Sequence, residues 1–109
     1  MRIGSSIVVV TASLAAGMLA PVITHADETL AKRHNCVMCH EIDQKYVGPA
    51  FQDVAQKYTG QPDAAAILYE KVRKGGGGVW GKAAMPPNST VPAGDIRKLV
   101  DWVLRTNAR

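Results

Sequence analysis

The chain is poor in the features that mark most functional classes. It has two cysteines and no further one, so the second ligand pair at matching spacing that a tetrahedral zinc site needs is lacking. No stretch alternates apolar and polar residues in the period of a strand. That removes the βαβ setting a thioredoxin-like Cys-x-x-Cys requires. The Lys and Arg residues number 13 against 9 acids, a formal +4, but they are scattered. Nucleic-acid binding calls for a basic stripe beside a base-stacking platform. Gly75 to Gly78 form a run of glycines without the Gly-Lys-Ser/Thr and preceding strand of a phosphate-cradling loop. There is no internal repeat, and 109 residues allow one ordinary domain.

Charge is also missing from the N-terminus, where no Asp, Glu, Lys or Arg stands between Arg2 and Asp27. Arg2 serves as a positive start, residues 7–19 as an apolar core, and Thr24-His25-Ala26 as a small-residue cleavage site. The expectation is a secretory signal over residues 1–26, cleaved to leave a single domain over residues 27–109. An uncleaved anchor is the rival, because the uncharged stretch is nominally long enough to span a bilayer. Gly17 and Pro21 interrupt that stretch, which favours cleavage. A mature domain this small has a thin core and calls for a disulfide, a metal or a cofactor as a staple.

The staple is written in Cys36-Val37-Met38-Cys39-His40. Export alone would favour a disulfide, but the histidine directly after the second cysteine makes this the c-type haem attachment signature. Cys36 and Cys39 then form the thioethers, and His40 falls under the iron as proximal ligand. Val37 and Met38 are spacers.

An electron carrier fills the opposite axial position with a second protein ligand. Met1, Met18 and His25 leave with the signal, and Met38 sits inside the attachment loop. His34 precedes the motif by one to two turns and stays on the proximal side. A lysine ligand would need a depressed pKa. Met85 remains, in Lys82-Ala83-Ala84-Met85-Pro86-Pro87-Asn88, where two prolines stiffen the backbone behind a weak thioether ligand. His/Met ligation raises the reduction potential, and a filled sixth position argues against oxygen or peroxide chemistry.

The remaining pattern is helical. Residues 29–35 form a short amphipathic helix leading into the motif. Residues 50–58 place Phe51, Val54 and Tyr58 on one face, closed by Gly60. A helix from about Pro62-Asp63 to Lys74 buries Ala64, Ala65, Leu68 and Val72. The glycine run terminates it and brings backbone close to the haem edge, with Trp80 beyond as a donor to a haem propionate. Ile96, Leu99, Val100, Val103 and Leu104 give the last helix its apolar stripe. The fold class is all-α, about four helices wrapped around one covalent haem.

With these residues placed, the chain resembles a class I cytochrome c of the short bacterial c-551 type. Lys45-Tyr-Val-Gly-Pro-Ala50, Asp53-Val-Ala-Gln-Lys-Tyr58, Gly78-Val-Trp-Gly81, Met85-Pro-Pro-Asn88 and Trp102-Val-Leu104 follow the haem motif in the family's order. The resemblance implies that the Pro49 carbonyl accepts from His40 Nδ1, that Trp80 binds a propionate and that Asn88 donates toward the Met85 sulfur. It also implies that Val47, Tyr58 and Leu68 line the crevice. Two departures stand out. Lys71 occupies the position of a propionate-binding arginine, with Arg73 two residues on. The last helix lacks a Ser or Asp start, leaving Pro92 as its first-turn residue.

The expected function is that of a periplasmic electron carrier and not an enzyme. It would be a monomer with no small-molecule substrate, meeting acidic docking surfaces on a bc-type complex and a terminal reductase or oxidase. Lys32, Lys45, Lys57 and Lys82 would ring the exposed haem edge. An open-site haem enzyme or gas sensor is the alternative, and a permanently docked or anchored subunit a third reading.

Overall fold

The computed structural model describes residues 4, 6–17 and 26–106. Its elements are α1 (Ala26–Arg33), a 3-10 turn (Cys36–Met38), α2 (Phe51–Tyr58), α3 (Ala64–Lys74) and α4 (Ala93–Arg105). Among the described residues there is no strand, and β pairing is confined to one antiparallel bridge between Gly76 and Met85. The expected all-α architecture is therefore present. No helix of the described residues is long and apolar enough to cross a membrane. The cleavage site Thr24-His25-Ala26 lies outside them apart from the start of α1.

Helix α1 begins earlier than the expected Thr29. Asp27 and Glu28 occupy its first turn and Lys32 and Arg33 its last, so both ends carry the charge that their helix dipole favours. Asn35 closes it in a left-handed conformation, φ 62°, with its N–H on the Lys32 carbonyl. Two links tie α1 to α4. Arg105 Nη2 donates to Asp27 Oδ2 at 3.1 Å, and His34 Nε2 to Asp95 Oδ2 at 2.9 Å. His34, set aside as an axial ligand, is thus engaged with a carboxylate on another helix.

Helix α4 organises the core because its apolar stripe serves two clusters. Leu99 and Trp102 pack with Leu30, Ala31 and Phe51. Ile96 and Val100, a turn away, pack with Val54 and Leu68. Burying each such aliphatic side chain stabilises the fold by about 1.5–3 kcal/mol. In α3 the buried residues are Ala64 and Leu68, while Ala65 is exposed. This corrects the expected stripe: positions four apart share a face, and Ala65 sits about 100° further round the helix. Pro92 is also one place earlier than expected. It is the N-cap of α4, and its carbonyl accepts from the N–H groups of Asp95 and Ile96 at 3.0 and 3.1 Å.

Candidate haem site

The motif residues are held by their own backbone. The N–H groups of Cys39 and His40 both reach the Cys36 carbonyl, at 3.2 and 3.0 Å, wrapping the five residues into one turn. Cys36, Cys39 and His40 thereby face one cavity. Both thiols are free. Burial pushes the Cys36 thiol above its ordinary pKa, against a smaller lowering from a backbone hydrogen bond. A redox-active dithiol works by a lowered pKa, so that reading loses support.

His40 is fixed on three sides. Its Nδ1 donates to the Pro49 carbonyl at 2.8 Å. A carbonyl only accepts, so the neutral ring carries its proton on Nδ1 and presents the Nε2 lone pair, the state a metal ligand needs. Phe51 stacks on the imidazole with centroids 5.0 Å apart and planes 19° apart, and Trp102 meets Phe51 in a T-shaped pair with centroids 5.2 Å apart. On another side lies Gly48, where a Cβ would stand 2.6 Å from His40 Cε1 and 2.9 Å from Nδ1. The Gly48 N–H is bonded to the Cys39 carbonyl at 2.8 Å, so this loop cannot retreat without losing that bond. Sequence reading assigned roles to Val47 and Pro49 on either side and missed the steric role of Gly48 between them.

The cavity encloses about 1150 Å³ of empty space, its open mouth included. Met85 and Pro86 line it together with His40, and Val47, Tyr58 and Leu68 contribute apolar wall, as the resemblance implied. Lys71 also lines it. Arg73 instead pairs with Glu70 at 3.3 Å on the exposed side of α3. Trp80 reaches the cavity while 38% exposed, with the Lys57 ammonium 5.6 Å over its ring.

Asn88 departs from expectation. Its Nδ2 donates to the carbonyls of Val72 and Pro86, at 3.1 and 3.2 Å, rather than toward the Met85 sulfur. The cause is the path of the chain: the Asn88 N–H also bonds Val72 at 3.1 Å, drawing the whole residue onto the end of α3.

The donor set fits a covalent haem. Two thiols stand at one edge of an apolar cavity, an imidazole offers its Nε2, and a thioether shares the same space. Comparison with known proteins agrees. The family model for cytochrome c matches residues 28–107. Cytochrome c-552 of Nitrosomonas europaea is 44% identical over 90 residues, covering 83% of this chain and 87% of the relative. Cytochrome c-552 of Hydrogenobacter thermophilus is 48% identical over 82 residues, covering 75% of this chain and 83% of the relative. The crystal structure of the Nitrosomonas europaea cytochrome c552 superposes with a TM-score of 0.71 at 46% identity, over 72% of this chain and 98% of that one. The chain belongs to the cytochrome c family: it is a class I monohaem cytochrome c, an electron carrier rather than an enzyme, with one covalently bound haem c.

Proposed function

We propose that this cytochrome is a periplasmic shuttle with His40 and Met85 as axial ligands, Cys36 and Cys39 as thioether residues and residues 1–26 as a cleaved export signal. The observation that carries the reading is the placement of His40 and Met85 on one cavity, with the His40 ring set by its 2.8 Å bond to Pro49. Bound haem supplies an iron that changes between ferrous and ferric by one electron. The chain's own residues hold that iron's surroundings constant. The Pro49 carbonyl raises the basicity of His40, and Phe51 and Trp102 prevent the ring from turning. The apolar walls keep water from the ligands, which favours the less charged reduced state and raises the potential. Lys71 and Trp80, which line the cavity, would meet the propionates.

Partners are redox proteins with acidic docking surfaces, of the kind a bc-type complex and a terminal reductase or oxidase present. Val37, Met38, Tyr46 and Val47 are exposed apolar residues beside the attachment edge, and Lys45 and Lys82 are exposed cations. Lys32 is engaged with Glu28 at 3.2 Å, whereas Lys57 keeps its charge over the Trp80 ring, so steering falls mainly on Lys45, Lys57 and Lys82. The contact stays brief while the charges speed encounter.

The test is the optical spectrum of the exported, haem-loaded protein in both oxidation states. A far-red sulfur-to-iron charge-transfer band that disappears in Met85→Ala is the expected result. A high-spin spectrum that shifts with CO or cyanide would move the protein to the open-site reading. Mass spectrometry of the periplasmic fraction should find a chain beginning at Asp27, and electron exchange with an acidic partner should slow as salt is raised.

A further inference from the structure

We infer that the end of α3 and the glycine run behind it are a positioning device for Met85, with Gly75 and Gly76 as its working residues. The inference rests on the reading of Met85 as an axial ligand. From sequence, the glycine run was expected to bring backbone near the haem edge. Gly76 and Gly77 do line the cavity, yet the tighter approach is to the segment that carries Met85.

Both main-chain groups of Met85 are committed to one residue. Its N–H donates to the Gly76 carbonyl at 2.8 Å, and the Gly76 N–H donates to the Met85 carbonyl at 2.9 Å. Just beyond, Pro86 and Pro87 have no N–H to offer and fixed φ angles. The next hydrogen bonds come from Asn88, whose backbone N–H and Nδ2 both reach the Val72 carbonyl at 3.1 Å. The stretch from Met85 to Asn88 is therefore fastened at both ends to residues 72–76.

Gly75 makes that approach possible. Its φ is +71°, and a Cβ there would collide with the Met85 carbonyl oxygen and stand 2.8 Å from Pro86 C and from Pro87 N. Its own N–H is held by the Lys71 carbonyl at 2.8 Å, so it belongs mechanically to α3. Helix α3 is in turn seated in the core through Ala64 and Leu68. The chain of contacts thus runs from the buried core, along α3, through Gly76 to the Met85 backbone. With its backbone fixed, Met85 retains only side-chain rotation. A thioether is a weak ligand, and its bond gains most when the protein has fixed the donor beforehand.

The test uses the exported, haem-loaded protein and added imidazole as the competing ligand, titrated by absorbance of the oxidised form. Gly75→Ala should weaken the far-red band and raise the apparent imidazole affinity at least tenfold. Gly78→Ala is the control, because Gly78 has φ +90° but nothing within 4 Å of a Cβ. It introduces the same kind of left-handed strain without touching Met85, and should leave the band unchanged and the affinity within twofold. Equal responses in the two variants would overturn the proposal, since they would mean general loosening of the loop. Should Gly75→Ala fail to fold, Asn88→Ala removes the side-chain bonds at the far end of the segment and should raise imidazole affinity about threefold; an unchanged affinity would overturn the proposal equally. Met85→Ala separates the two layers of argument. If that variant keeps the far-red band, the axial assignment itself fails; if it loses the band while Gly75→Ala behaves as wild type, only the positioning device is lost.

Discussion

Gly48→Ala is the substitution on which the geometry of the proximal side can be judged most sharply. The added methyl would stand 2.6 Å from His40 Cε1 and 2.9 Å from Nδ1, well inside van der Waals contact. The imidazole cannot give way toward Phe51, which stacks on it at 5.0 Å. Moving it sideways breaks the 2.8 Å bond from Nδ1 to Pro49. Overpacking of this kind costs about 1–3 kcal/mol, and the hydrogen bond contributes about 0.5–1.5 kcal/mol more. Since 1 kcal/mol moves the midpoint of a domain this size by about 4–8 °C, the sum of about 1.5–4.5 kcal/mol corresponds to a fall in Tm of about 6–36 °C. Thermal unfolding of the oxidised holoprotein, followed by circular dichroism and by haem absorbance, measures it. A Tm within about 3 °C of wild type, with an unaltered reduced spectrum, would refute the argument that Gly48 is there to admit the ring.

Three further outcomes follow from the same contacts. Trp102→Ala empties a site that is 4% exposed and removes the ring packed against Phe51 on His40, so denaturant unfolding should show a loss of about 3–5 kcal/mol. Gly94→Ala should do the opposite. Gly94 lies in the first turn of α4 with nothing within 4 Å of a Cβ, and alanine should stabilise the fold by about 0.4–1 kcal/mol through the unfolded chain. Lys71→Gln should lower the reduction potential in spectroelectrochemistry, because a cation lining the cavity favours the added electron. Arg73→Gln, whose parent side chain pairs with Glu70 outside the cavity, should leave the potential as in wild type; equal shifts would mean that Lys71 acts only through net charge.

Much of the molecule was legible before any coordinates. The haem motif is a contiguous five-residue signal whose chemistry is local, and helix faces are local too, since a period of 3.6 residues is written along the chain itself. The stripes on α2 and α4 were therefore readable, and Met85 could be proposed as a ligand from the scarcity of rivals. Ala65 and the start of α1 were misjudged where small residues and charges make the period weak. What the tertiary structure alone decided are approaches between segments far apart in sequence. Gly48 against His40, Phe51 between His40 and Trp102, Asn88 turned toward Val72, and Gly75 against the Met85 segment all depend on how helices and loops meet. Periodicity records which face of an element is apolar; it carries no record of how near another backbone comes, and that nearness is what holds the His40 ring and the Met85 backbone in place.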